Sequence, residues 1–277
     1  MKNTIKTLAV YIKCRDDLGC LKENIEYHTL IGVEHFFIYD DSSETPLREA
    51  LSDYNNVTVI FCDKELRKPW AAQNHCFDTQ KDNYKWIAFI DTDEFIVMSG
   101  NCLDLKEYLV PYENYGGLLL WWRTFGSSGH KKIQPSVIDA YTQCNAYGGP
   151  STKTILRTAF SKVANNCVHS HTHTEDYPAV FPDFSLKPRL PGQSCANAVK
   201  KEKRYLDNFD IWINHYIIRS REDYDHKIKR YKKNRNPQHQ GHAKNLTKDY
   251  WAHFDAVCKW KNTAIIDLRD KIKKNNK

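Results

Sequence analysis

An apolar segment that ends in a cluster of carboxylates constrains the fold of this chain more than any other feature. Residues 85–90 read Lys-Trp-Ile-Ala-Phe-Ile, and Asp91-Thr92-Asp93-Glu94 follows at once. The apolar, β-favouring residues predict a buried strand. On an extended backbone Asp91 and Asp93 leave the same face, where they repel each other unless a cation lies between them. Oxygen ligands suit Mg²⁺ or Mn²⁺, so the pair is predicted to bind one of these metals.

The position of this acidic pair matters, because a short Asp-x-Asp pattern also occurs by chance in many solvated loops. Ligands of open α/β sheets bind at the carboxyl ends of strands, and the pair directly follows a predicted strand. The position therefore favours a functional site over a solvated loop.

Strand and helix patterns alternate through the first hundred residues. Predicted strands at 7–12, 35–39 and 57–61 precede the acidic one, and predicted helices at 21–31, 46–54 and 70–82 separate them. This alternation predicts an α/β fold with a mainly parallel sheet. Beyond residue 100 the pattern loosens, with predicted strands at 117–123, 152–157 and 210–218 and predicted helices at 222–233 and 250–259. No linker is evident, so residues 1–277 are predicted to form a single domain.

The charge balance allows functions other than metal chemistry at the acidic pair. The 277 residues carry a formal net charge of +7, which permits a basic nucleic-acid-binding protein. No recognised nucleic-acid-binding module occurs, and an acidic strand end repels phosphate unless a metal is bound, so nucleic acid is not expected as a partner. A nucleotidyl or phosphoryl transferase that uses the same two aspartates is a further alternative.

The location of the protein is predicted from segments that the sequence lacks. No apolar stretch reaches the roughly 18 residues that span a bilayer, and the apolar run near the N-terminus is too short for a signal peptide. The nine cysteines show no zinc-type spacing, which favours free thiols in a reducing compartment. A cytoplasmic protein without a transmembrane segment is therefore predicted.

Six motifs occur in order along the chain. They are Glu23-Asn24-Ile25-Glu26-Tyr27-His28; Gly32-Val33-Glu34-His35-Phe36-Phe37-Ile38-Tyr39-Asp40; Gln73 with His75-Cys76; the segment from Trp86 to Phe95; Arg123-Thr124-Phe125-Gly126; and Asn214-His215-Tyr216 with Ser220-Arg221-Glu222 and Lys227. In these motifs the chain resembles glycosyltransferase family 92. It departs from the family pattern at residues 15–17, where Arg-Asp-Asp replaces Lys-Asn-Glu, and at Asn24, where the family has Trp.

The resemblance implies both a fold and an activity. The fold is a GT-A-type, Rossmann-like, mainly parallel sheet with flanking helices and a C-terminal helical elaboration. Residues 1–100 would bind the nucleotide sugar, and residues 101–277 would form the acceptor half and the C-terminal helices. The implied activity is metal-dependent, inverting transfer of a hexose, galactose above all, from a UDP-sugar donor to a glycan or glycoprotein acceptor.

The resemblance also implies roles for individual residues in binding the donor. Asp91 and Asp93 would hold Mn²⁺ or Mg²⁺ and, through it, the diphosphate, and Lys227 or Arg230 would steady the leaving phosphates. The other predicted donor contacts follow the first two strands or lie in the third helix: Arg15, Asp17, Asp40, Asp41 and Gln73. A turn cap is an equal alternative for Asp41, and a surface charge is the alternative for Arg15.

A late histidine and a catalytic base complete the predicted site. His215 is the first choice as a metal ligand and His171 the second, although the run 169–173 is also compatible with a merely polar strand. Inverting transfer needs a carboxylate that deprotonates the acceptor hydroxyl. The candidates are Asp176, Glu175 and Asp183, and helix or turn capping is the alternative for each. Glu94 is predicted to support the metal site or contact the sugar, and Lys153 resembles a family lysine that is alternatively structural.

Overall fold

The first part of the chain alternates between strands and helices as the sequence predicts. A computed structural model describes residues 5–148, 151–162, 172–173, 176–186, 206–233 and 246–276. The first seven elements are β1 (Lys6–Cys14), α1 (Leu18–Leu30), β2 (His35–Asp40), α2 (Leu47–Ala50), β3 (Val57–Phe61), α3 (Pro69–Gln80) and β4 (Tyr84–Asp91). Helix α2 is shorter than predicted, because it gives way at Leu51 to turns built from Ser, Asp and Asn residues.

The second part of the chain adds short strands and three longer helices. Its strands are β5 (Glu94–Met98), β6 (Gly117–Thr124), β7 (Gln143–Cys144), β8 (Thr152–Arg157), β9 (Ser161–Lys162), β10 (Thr172–His173), β11 (Ala179–Val180), β12 (Ile211–His215) and β13 (Trp260–Lys261). Its helices are α4 (Leu105–Tyr108), α5 (Val137–Ala140), α6 (Arg221–Lys233), α7 (Lys248–Val257) and α8 (Ala264–Asn275). The predicted C-terminal helical elaboration is therefore present.

One large sheet organises these elements. Its strand order is β3-β2-β1-β4-β8-β6-β12-β5, and β11 pairs with β6. Strand β1 runs parallel to β2 and β4, and β6 runs parallel to β12, whereas β8 is antiparallel to both β4 and β6. Consequently β1, β2, β4 and β12 all end at the same edge of the sheet. The predicted mainly parallel α/β architecture is confirmed.

The acidic segment turns instead of continuing as a strand. Strand β4 ends at Asp91, the chain turns at Thr92 and Asp93, and β5 begins at Glu94 and pairs antiparallel with β12. The prediction that Asp91 and Asp93 share one face of an extended strand is therefore wrong. The apolar residues of β5 are fully buried, and the turn returns them to the core beside β12.

Helix α1 holds the backbone that follows this turn. The Asn24 side-chain amide donates to the carbonyl oxygens of Thr92 and Glu94, at 3.2 and 2.7 Å. The Tyr27 hydroxyl donates to the Ile96 carbonyl at 2.8 Å, and the Ile96 amide donates to Nε2 of His28 at 3.1 Å. Three buried polar side chains on one helix therefore set the position of the acidic turn.

The C-terminal helix α8 is amphipathic. It buries Ile265, Leu268 and Ile272 and leaves the lysines of its last turns exposed to solvent. Within the described ranges, no helix combines the length and the apolar character needed to cross a bilayer.

Candidate active site

Asp91 is paired with a buried lysine. The Lys153 ammonium group donates to Oδ2 of Asp91 at 2.7 Å and lies 3.4 Å from Oε2 of Glu94. The same Glu94 oxygen accepts a hydrogen bond from the Asp91 amide at 2.8 Å. The Asp91 side chain is 52% exposed, whereas Lys153 and Glu94 are buried. The Asp91 carboxylate is therefore partly exposed to solvent, and on its buried side it is paired with the positive charge of Lys153.

Asp93 is paired with a different lysine. Its Oδ2 atom lies 3.0 Å from Nζ of Lys227 on α6, and its Oδ1 atom lies 3.7 Å from Nε2 of His215 at the end of β12. Nζ of Lys227 also donates to the Ile217 carbonyl at 3.1 Å. The His215 ring lies 4.3 Å from the Trp122 ring, centroid to centroid. The structure thus brings Asp93, His215 and Lys227 together, although they are widely separated in sequence.

The protonation states in this cluster follow from burial and charge. Burial by itself raises the pKa of Asp93, but the neighbouring positive charges, Lys227 foremost, and the hydrogen bond from Lys227 together outweigh burial and hold that pKa well below its usual range. Burial lowers the pKa of His215 to about 4 although Asp93 opposes it, so the imidazole is neutral at pH 7. Burial raises the pKa of Glu94 to about 8 against the opposing charge of Lys153. Glu94 is therefore largely protonated near neutral pH, and Lys153 forms its ion pair mainly with Asp91.

The donor set of this cluster fits a divalent metal. Two carboxylates and a neutral imidazole are ligand types that Mn²⁺ accepts. Nδ1 of His215 is buried and has no hydrogen-bond partner among the described residues. No three His, Cys, Asp or Glu side chains in those residues form a group that could hold a metal by itself. Asp91, Asp93 and His215 are therefore not arranged as a ready-made metal group, and a metal at this place would need donor phosphates or water as further ligands, as Mg²⁺ sites commonly do.

The loop after β2 is held mainly by its own hydrogen bonds. Oδ1 of Asp40 accepts the Ser43 amide at 2.8 Å, and Oδ2 accepts the Leu47 amide at 3.2 Å. Asp40 therefore caps the turn that leads into α2. Asp41 lies 3.7 Å from Nζ of Lys13, which lies on β1.

The turn after β1 is tied to the late part of the chain. Oδ2 of Asp17 accepts a hydrogen bond from Nη2 of Arg219 at 2.8 Å and lies 3.7 Å from Nη2 of Arg230. Nε of Arg15 lies 3.7 Å from Oδ2 of Asp16. The predicted donor residues Arg15 and Asp17 thus lie at the sheet edge that carries Asp91 and His215, and Asp17 is engaged by two arginines.

The remaining predicted residues lie elsewhere or outside the described ranges. Gln73 is buried in α3, and its Oε1 atom has no hydrogen-bond partner among the described residues. Asp176 and Asp183 flank β11, which pairs with the first residues of β6. His215 pairs with Thr124 at the other end of β6, roughly 16 Å or more along the strand. The structure therefore does not bring Asp176 or Asp183 to the cluster, and Glu175 and His171 lie outside the described residues.

The sequence did not identify Arg219, and it did not predict that Lys153 pairs with Asp91. Arg219 lies between the two parts of the sixth motif, but it is buried and has a backbone φ of +49°, neither of which a single sequence reveals. Lys153 lies on β8, where five of the six residues are buried, and a lysine on a predicted strand is a signal for a buried charge partner.

Comparison with known proteins assigns the family. The model of glycosyltransferase family 92 matches residues 16–189. A family 92 protein of Oryza sativa subsp. japonica is 30% identical over 184 residues, which are 61% of this chain and 30% of that protein. A family 92 protein of Arabidopsis thaliana is 33% identical over 214 residues, which are 69% of this chain and 33% of that protein. The chain thus spans about a third of the length of these relatives.

Two solved structures show only partial similarity. Glucosyl-3-phosphoglycerate synthase from Mycobacterium tuberculosis, in complex with Mn²⁺, UDP and glucosyl-3-phosphoglycerate, aligns with a TM-score of 0.31 and 15% identity, over 43% of this chain and 44% of that chain. A 4-diphosphocytidyl-2C-methyl-D-erythritol synthase from Anaerococcus prevotii aligns with a TM-score of 0.35 and 8% identity, over 56% of this chain and 71% of that chain. Because the family model covers more than half of the chain, from the turn after β1 through the acidic turn and Lys153, this chain belongs to glycosyltransferase family 92.

Proposed function

We propose that this protein is a metal-dependent, inverting glycosyltransferase that moves a hexose, most favourably galactose, from a UDP-sugar to a glycan or glycoprotein acceptor. One observation carries the proposal: Asp93 contacts His215 and Lys227, and Asp91 ends β4, at the sheet edge where β1, β2, β4 and β12 end. Ligands of open α/β sheets bind at this edge. Family membership supports sugar transfer as the chemistry.

The side chains of the cluster have distinct parts in this proposal. Asp91, Asp93 and His215 would hold Mn²⁺ or Mg²⁺, and the bound ion would offset the charge that develops on the departing nucleoside diphosphate. The ammonium group of Lys227, held by Asp93 and the Ile217 carbonyl, would donate to the leaving phosphate. Lys153 compensates the charge of Asp91 from the buried side of the site.

Inversion requires a base on the acceptor side. The acceptor hydroxyl attacks the anomeric carbon in line as the diphosphate leaves, and a carboxylate takes its proton. Asp176 and Asp183 are exposed and lie at the far end of β6, where Asp183 accepts hydrogen bonds from Ser185 in a turn. Glu175 stays a prediction for the base.

Donor binding is the direct test. The melting temperature is measured with UDP, UDP-galactose and UDP-glucose, each with Mn²⁺ and with a chelator. A ligand at 100 times its dissociation constant stabilises the folded protein by about 2.7 kcal/mol, which a thermal shift resolves. We expect stabilisation by the UDP compounds only with Mn²⁺, and the ranking of the two sugars identifies the preferred donor.

A pair of matched variants locates the site. Asp93→Asn should weaken Mn²⁺-dependent UDP binding at least tenfold, whereas Asp78→Asn, on the exposed surface of α3, should not change it. Equal binding by wild type and Asp93→Asn would refute the proposed site. Product analysis separates the reaction classes, because sugar transfer releases UDP whereas nucleotidyl transfer cleaves between the phosphates.

A further inference from the structure

The turn after β1 contains an aspartate that does not cap the helix it precedes. Asp17 occupies the position before α1, where an Asp side chain normally accepts a hydrogen bond from a backbone amide of the first turn. Here the side chain makes no such bond. Its carboxylate instead accepts from Arg219, 202 residues away in sequence. Asp17 therefore makes a long-range contact in place of the usual hydrogen bond that caps a helix.

The residue before Asp17 and Arg219 itself have an unusual backbone conformation. Asp16 has a φ of +50° and Arg219 has a φ of +49°, in the left-handed region that non-glycine residues rarely adopt. Such conformations persist where the surroundings over-determine them. Asp16 is held by three hydrogen bonds: its carbonyl accepts from Arg230 at 2.7 Å, its amide donates to Ser43 at 3.1 Å, and its carboxylate accepts from the Glu44 amide at 2.6 Å.

Arg219 is held in place from the side of α6. Its guanidinium lies 3.7 Å from Oδ1 of Asp223, and the other oxygen of Asp223 accepts from the hydroxyls of Ser220 and Tyr141, at 2.7 and 3.1 Å. The side chain of Arg219 is only 7% exposed, so its charge depends on Asp17 and Asp223. The charges alternate from Asp223 through Arg219 and Asp17 to Arg230.

We propose that Arg219 is a positioning residue that locks the turn of residues 15–17 onto α6, so that the two form one rigid wall of the donor site. The helix that carries Arg230 also carries Lys227, which contacts Asp93, so the same element holds the turn after β1 and the acidic turn after β4. The functional part of this inference rests on the proposed donor binding. Without Arg219, the Asp17 carboxylate can accept a hydrogen bond from a backbone amide of α1 instead. Residues 15–17 are then no longer held in one position against α6.

Two measurements on the full chain test the proposal. Amide hydrogen exchange reports the opening of residues 15–17 without any ligand, and calorimetry with Mn²⁺ gives the dissociation constant of UDP. We expect Arg219→Gln to raise exchange in this turn tenfold or more and to weaken UDP binding tenfold or more. Arg219→Lys should restore part of both. The control Arg221→Gln, two residues from Arg219, removes a surface ion pair with Asp225 and should leave both unchanged.

Each outcome decides a separate point. Unchanged exchange in a folded Arg219→Gln protein overturns the proposal, and faster exchange with unchanged UDP affinity overturns the role in donor binding. If Arg219→Gln does not fold, Asp17→Ala removes the contact from the half-buried turn and is scored by the same two criteria. If the wild-type protein does not bind UDP, the proposed function fails, and the exchange measurement still decides whether Arg219 locks the turn.

Discussion

His28 makes the stability of the acidic turn depend on pH. It is fully buried on α1, its Nδ1 donates to the Asn24 carbonyl at 2.9 Å, and its Nε2 accepts from the Ile96 amide at 3.1 Å. Only the neutral imidazole satisfies both partners, because a protonated ring has no acceptor for the Ile96 amide. Burial lowers the pKa of His28 from 6.5 to about 4.

The size of the effect follows from this difference in pKa. The unfolded chain binds the proton more readily than the folded chain, so the contribution of His28 is complete above pH 6.5 and is lost as the pH falls towards 4. The full loss is about 3 kcal/mol, and about 2 kcal/mol of it occurs between pH 7 and pH 5. This loss is a large share of the total free energy of unfolding, which is typically about 5–15 kcal/mol for a folded protein.

Urea unfolding at pH 7 and pH 5 measures this contribution. His215 also has a lowered pKa and Glu94 a raised one, and the two groups change stability in opposite directions between pH 7 and pH 5, so the wild-type protein by itself does not isolate His28. The informative quantity is therefore the difference between wild type and His28→Gln, which removes the titrating group. We expect the loss of unfolding free energy between the two pH values to be about 2 kcal/mol smaller in His28→Gln, and unchanged in the exposed control His253→Gln. Identical pH dependence of wild type and His28→Gln would refute the reasoning.

Three further substitutions test the supports of the site, each by urea unfolding at pH 7. Asn24→Leu should cost about 1–3 kcal/mol, because the buried carbonyls of Thr92 and Glu94 lose their shared amide donor. Glu94→Gln should change the free energy of unfolding by less than about 1 kcal/mol, because a largely protonated carboxyl group and an amide can both accept a hydrogen bond from the Asp91 amide. A loss as large as that of Glu94→Leu would show that Glu94 is ionised in the folded protein. Asp40→Ala should cost about 2 kcal/mol through two lost backbone contacts, and no loss would contradict its assignment as a turn cap.

Local patterns predicted the elements of the first half of the fold because each strand there is a short apolar run between turn residues. The predicted strand at 7–12 and helix at 70–82 correspond to Lys6–Cys14 and Pro69–Gln80. The acidic segment was harder, because Asp91 and Asp93 were predicted to continue the extended backbone of the strand before them. Only the pairing of β5 with β12 shows that the chain reverses between β4 and β5.

The sequence by itself determined the alternation of strands and helices in the first hundred residues, the family and the carboxylates at the end of β4, because these depend on local composition and motif order. Tertiary structure alone decided which charges meet. Lys153 reaches Asp91 across 62 residues, Lys227 reaches Asp93 across 134, and Arg219 reaches Asp17 across 202. Such pairs depend on how the carboxyl ends of separate strands converge at one edge of the sheet, and no local pattern in a single sequence encodes that convergence.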